Sequence, residues 1–197
     1  MKHNVLRSLQ SFALFPIFAA NLLTPGGVPK TPTVAVLSSP EIRPLVDITA
    51  DNKQKVFDEK VKKVEAYFGD KDLPMAAHAE ALVREAEKNG LDWTFVAAFA
   101  MAESTGGKFM HLNNPFGWGS AKIPFESVDH AIEVVAWNLG GNNPATAKYY
   151  KDKTIDQIIN TYNPPSVNPR YNGIIKYVMK SIKNYPIESE SKALATL

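Results

Sequence analysis

The sequence predicts a mainly α-helical single domain built around one central buried helix, with little or no sheet. Three observations lead there. Apolar residues recur at helical spacing in successive segments. Helix-starting and helix-ending residues punctuate those segments. One segment, "WTFVAAFAMAE", has no polar face at all, as expected of a helix surrounded by others.

Before the helices come two segments of a different kind. "MKHNVLRSLQSFALFPIFAANLLTPGG" carries Lys2 and Arg7 ahead of an apolar run from Phe12 to Leu23. That run is shorter than the ~20 residues a spanning helix needs and suits a signal peptide. Residues 1–23 are therefore expected to export the chain to the cell envelope or beyond, or to stay on as a weak N-terminal anchor if uncut. Phe18 is a poor fit to a cleavage site, and an ordinary frayed terminus is the competing reading. Residues 24–50 hold Pro25, Pro29, Pro32, Pro40 and Pro44 and read as an extended linker.

The domain is expected over residues 51–185. "DNKQKVFDEKVKKVEAYFG" puts Val56, Phe57, Val61, Val64 and Phe68 on one face. Pro74 opens a second helix carrying Met75, Ala79, Leu82, Val83 and Ala86, which stops at Asn89-Gly90. Asp92 caps the third, all-apolar helix. Ser127 caps a fourth with Val128, Ala131, Ile132, Val135 and Leu139 inward. Thr154 and Gln157 form a capping box for a fifth ending near Tyr162. Asn168-Pro169 starts a sixth, with Tyr171, Ile174, Ile175, Val178 and Ile182 inward. Residues 186–197 read as a flexible tail.

Composition narrows the function. The net charge of +2, without a Lys/Arg stripe, gives no support for nucleic acid. The absence of cysteine removes disulfides, thiolate metal sites and thiol nucleophiles. His3, His78, His111 and His130 lack metal-binding spacing, so neither a metal nor another cofactor is expected. A helical interaction protein has little behind it: "KVKKVEAYF" lacks the sustained seam of a coiled coil. A monomer is expected.

The chemistry-bearing stretch is "AMAESTGGKFMHLNNPFGWGS", residues 100–120. Glu103 falls in the last turn of the apolar helix, where burial and the negative end of the helix dipole both disfavour its ionised form. A carboxylic acid still protonated near neutral pH is what a general acid for glycoside cleavage needs. A solvated glutamate with no task is the competing reading. Gly106 and Gly107 allow a sharp exit beside it. Asn113, Asn114, Phe116 and Trp118 offer amides and flat rings for a sugar cleft, with close backbone approach at Gly117 and Gly119. Either ring serves equally well as a core plug. Further on, Tyr162 and Asn163 precede Pro164-Pro165, and they either line the same cleft or form a rigid connector.

In order, "GLDWTFVAAFAMAES", "NNPFGWGS", "FESVDHAIEVVAWNLGG" and "YNPPSVNPRYNGIIKYVMKSI" resemble the bacterial glucosaminidase family. Its members are mannosyl-glycoprotein endo-β-N-acetylglucosaminidase-like, within the lysozyme-like superfamily of cell-wall hydrolases. The resemblance covers residues 53–183. It rests on the Glu-Ser helix end, the Asn-Pro-Phe-Gly loop and the Tyr-Asn-Pro-Pro turn, which are weak singly and fairly specific in this order. It implies a lysozyme-like helical domain with a groove for β-1,4-linked amino sugars, and peptidoglycan glycan strands as partner and substrate. Glu103 would be the general acid. Ser104, Asn114, Phe116 and Gly117 would shape the groove, and Tyr162 would face them across it.

The sequence departs from the family in one respect. Many relatives carry a second acid on a β-hairpin lobe after the Phe-Gly motif. Here that region, "WGSAKIPFES", is short, and Glu126 is its one carboxylate. An inverting mechanism needs a second carboxylate ~6.5–9.5 Å from the acid. A single-acid route, either assisted by the substrate's 2-acetamido group or of the lytic transglycosylase kind, stays open. So does a peptidoglycan-binding domain without chemistry.

Overall fold

The computed structural model describes residues 45–187. The expected leader, most of the linker and residues 188–197 of the tail lie outside the described residues. Seven helices follow in order: α1 (Leu45–Gly69), α2 (Ala79–Lys88), α3 (Phe95–Ser104), α4 (Val128–Leu139), α5 (Ala147–Tyr150), α6 (Ile155–Tyr162) and α7 (Tyr171–Lys183). A single 3-10 turn, Pro74–His78, leads into α2. There is no strand among the described residues, only an isolated bridge between His111 and Asn114. The domain is mainly α, as expected.

The central helix is α3. Phe95, Val96, Ala97, Ala98, Phe99 and Ala100 are each 0% exposed, so every side of the helix is covered. It packs chiefly on α7 and α2, while α2 also carries α1 and α4. The small residues Ala97, Ala98 and Ala100 let neighbours approach closely, and Phe95 and Phe99 meet edge-on with centroids 4.9 Å apart.

Where the expected helix ends rest on short-range hydrogen bonds, they form. Ser127 Oγ accepts from the His130 amide at 3.1 Å. Thr154 and Gln157 make both bonds of their capping box. Gly90 takes a positive φ of 72° just past α2, and the Leu91 amide closes back on the Ala86 carbonyl.

Several expectations are corrected. The first helix starts at Leu45, inside the stretch read as linker. Its earlier apolar residues are less buried than expected: Val56 is 50% exposed, Phe57 and Val61 are half-buried against the core, and full burial begins at Val64. Pro74 opens a 3-10 turn, not an α-helix: the Ala76 amide closes on the Leu73 carbonyl three residues back, and the Met75 amide is taken by the Gly106 carbonyl, both at 3.1 Å. Asp92 acts from further back than a simple cap, accepting from both the amide and the hydroxyl of Thr94. On α7, Ile174 faces outward while Met179 is buried. Helix α5 was not anticipated. Ile187, within the expected tail, is packed against the protein.

Candidate active site

At the end of α3 the chain leaves the core in steps. Ala100 is sealed, Met101 and Ala102 are half-buried, and Glu103 is exposed. Thr105 then adopts the left-handed conformation (φ 54°), followed by Gly106 (φ 62°) and Gly107 (φ 87°). A β-branched residue rarely accepts such a φ, so the turn stores strain beside the acid. Neighbouring contacts hold it there. A Cβ at Gly106 would meet Phe68 and Leu73 side chains at 2.9 Å, so only glycine fits over the core.

Glu103 opens into a cleft of about 540 Å³. Trp118, Tyr150 and Tyr162 form its aromatic walls, and Gly117, Gly119 and Ser120 form a bare backbone edge. A Cβ on Gly117 would lie 3.2 Å from Glu103 Oε2, so this glycine (φ 62°) gives the carboxylate its room. Trp118 stands 6.0 Å from Tyr162 and 6.5 Å from Tyr150, centroid to centroid. Flat apolar faces beside a carboxyl group suit a sugar ring, which offers C–H faces for stacking and hydroxyls for hydrogen bonds.

The back of the acid is held by a residue the sequence reading assigned only to the core. The Tyr171 hydroxyl, at the first residue of α7, donates to Glu103 Oε1. Tyr171 is 4% exposed and stacks on Tyr162 at 6.2 Å, with Phe99 edge-on beneath both. The Tyr162 hydroxyl donates to the Phe116 carbonyl, which ties α6 to the glycine-rich loop. Burial raises the pKa of both tyrosines above the ordinary phenol range, and the nearby Glu103 charge raises it further. Both therefore remain donors. Tyr150, raised by burial, also lies in the wall and was not anticipated.

Glu103 is open toward the cleft yet enclosed at its base. That partial burial raises its pKa above the ordinary carboxylic range, and the Tyr171 hydrogen bond pulls it partly back. The direction is the expected one. The acid is less buried than its sequence position suggested, because the last turn of α3 projects from the core.

Three expected groove residues have other tasks. Ser104 is buried; its hydroxyl donates to the Ala100 carbonyl and accepts from the Gly107 amide, both at 3.0 Å. Asn114 is buried and folds the loop onto itself, donating to the Trp118 carbonyl at 2.8 Å and accepting from its amide at 3.0 Å. Phe116 is fully buried in the core and reaches the site only through its carbonyl. Each shapes the site from behind, because a buried amide or hydroxyl must be satisfied internally. Trp118, Gly117 and Tyr162 line the cleft. Asn163 does not, and its side-chain oxygen is buried without a hydrogen-bond partner.

Glu126 is exposed and is not part of the cleft lining. Among the described residues, Glu103 is the one carboxylate that lines this cleft. No group of three or more His, Asp or Glu among them could hold a metal ion. No known protein family, curated protein or solved structure matches the chain.

Proposed function

We propose that this protein cleaves β-1,4 bonds between amino sugars in bacterial peptidoglycan, with Glu103 as general acid. The observation that carries the reading is a raised-pKa carboxyl group at the mouth of an aromatic cleft, held from behind by a tyrosine hydroxyl. The resemblance to the lysozyme-like glucosaminidases supplies the substrate class. With a glycan strand stacked along Trp118, Glu103 gives its proton to the glycosidic oxygen as the C1–O bond breaks. The carboxylate left behind is stabilised by the Tyr171 hydroxyl, and it recovers a proton from the incoming hydroxyl group.

The attacking group separates two versions of this chemistry. Water gives hydrolysis, as in an endo-β-N-acetylglucosaminidase. The sugar's own hydroxyl gives an anhydro product, as in a lytic transglycosylase. A single carboxylate in the cleft favours routes that need no second acid, among them hydrolysis assisted by the substrate's acetamido group.

Mass spectrometry of soluble products from peptidoglycan treated with the full chain tests the proposal. Fragments with new reducing ends or anhydro sugars are expected, and none from Glu103→Gln. Equal product from the variant refutes the role of Glu103. Binding to insoluble peptidoglycan without products from either protein replaces the enzyme by a glycan-binding domain. Export through residues 1–23 completes the proposal, since the substrate lies outside the cytoplasm.

A further inference from the structure

From Ser104 to Phe125 the chain contains Lys108, His111 and Lys122 and no carboxylate. The same loop exposes large apolar side chains: Phe109 at 71%, Leu112 at 41% and Ile123 at 41%. Lys108 and Lys122 are exposed beside them, the Lys108 ammonium 5.7 Å from the Phe109 ring centre. The two arms are joined. The Phe125 amide donates to the Leu112 carbonyl at 3.0 Å, and Asn113 donates to the Phe125 carbonyl at 3.0 Å. Ile123 packs over Gly119, where a Cβ would meet its Cδ1 at 2.3 Å, so this apolar loop and the cleft share a wall.

We propose that the loop of residues 108–123 docks the domain onto an anionic lipid bilayer, with Phe109, Leu112 and Ile123 entering the interface and Lys108 and Lys122 facing the phosphates. Charge complementarity and apolar content together select this partner. A soluble anionic polymer would match the lysines but leave three large apolar groups unused; a bilayer surface uses both. No helix among the described residues is long and apolar enough to cross a membrane. Docking would hold the rim of the cleft at the membrane side of the envelope. It does not depend on the reaction proposed for Glu103.

The chain has no cysteine, so a single introduced thiol carries a unique label. An environment-sensitive fluorophore on Phe109→Cys in the full chain is read with phosphatidylglycerol vesicles and with pure phosphatidylcholine vesicles. The same label on Tyr177→Cys, an equally exposed aromatic position on α7, is the control. A blue shift at 109 with the anionic vesicles alone, and none at 177, is expected. Lys108→Gln and Lys122→Gln should each weaken that response about fivefold. The proposal is overturned by a label at 109 that stays in water while the protein sediments with vesicles, which puts the membrane contact elsewhere in the chain. Equal shifts at both sites overturn it too, as does a shift produced by a soluble anionic glycan and not by vesicles. Glu103→Gln should dock like the parent, so failure of docking and failure of catalysis are separate results.

Discussion

The two ends of α3 each carry one acid, and the helix treats them oppositely. Asp92, before the first turn, faces the positive end of the helix dipole. It accepts from the Thr94 amide and hydroxyl and pairs with the Lys183 ammonium at 2.5 Å. Burial alone pushes its pKa up, but these donors bring it below the ordinary carboxylic range. Glu103, in the last turn, faces the negative end, has a neutral tyrosine as donor, and is raised. One acid is fixed as an anion that fastens α3 to α7; the other is the proposed proton donor. A raised pKa becomes useful only where a cleft adjoins it, and the cleft adjoins the C-terminal end.

The largest expected effect comes from removing the transferable proton. Glu103→Gln keeps the shape and still accepts from Tyr171, yet cannot protonate a leaving group. Activity on peptidoglycan should fall by roughly 10²–10⁴. Asp92→Asn should leave kcat within a few-fold. If the two variants lose activity equally, the functional contrast between the helix ends is wrong.

Tyr171→Phe sharpens the contrast at one end. The hydroxyl favours the ionised carboxylate, so its loss should raise the Glu103 pKa further. A general acid works while protonated, and activity falls as pH rises through its pKa. The alkaline limb of the pH–rate profile should therefore move upward in the variant. Hydrogen bonds to charged groups contribute about 1.5–3 kcal/mol, so the lost support for the product carboxylate should also cut kcat tenfold or more. A limb that stays in place, with kcat unchanged, would remove Tyr171 from the site.

How legible these ends were in the sequence differs for a physical reason. Ser127, Thr154 with Gln157, and Asn89-Gly90 are local devices whose partners lie within a few residues, and they behave as read. Asp92 was recognisable as a helix-start acid, but its ion-pair partner lies 91 residues on. Glu103 stood out because a charge interrupts an apolar helix. Its surroundings were harder to read. Asn114, Ser104 and Phe116 have side chains that serve a ligand or a loop equally well, and tertiary packing alone turned them inward. Tyr171 was read as core because its position on α7 faces inward. A buried phenol needs a hydrogen-bond partner, and that signal alone could have linked it to an acid.

At the N-terminal end, Asp92→Ala removes the cap interaction with Thr94 and the link to Lys183. A stability loss of about 0.5–2 kcal/mol is expected by denaturant titration. A folded pKa below the unfolded one gives stability that is present above the unfolded pKa and lost as pH falls through the folded one. The gap between Asp92→Ala and the parent should therefore shrink in acid, with the Glu103 pH–rate limb unmoved. A gap that is constant across pH would mean that Asp92 supports α3 without its charge.

The smallest effect is the mirror image at the other end. A folded pKa above the unfolded one gives stability that is full below the unfolded pKa and is lost as pH rises through the folded pKa. Ionising Glu103 is thus a mild burden on the fold, tempered by its open face to solvent. Glu103→Gln should melt at the same temperature as the parent or slightly higher near pH 7, and the difference should close in acid, where both side chains are neutral. Thermal scans of the two proteins across that range give the answer. A variant less stable than the parent at neutral pH would mean that the carboxylate is held for structure, as Asp92 is, and the two ends of α3 would no longer differ in kind.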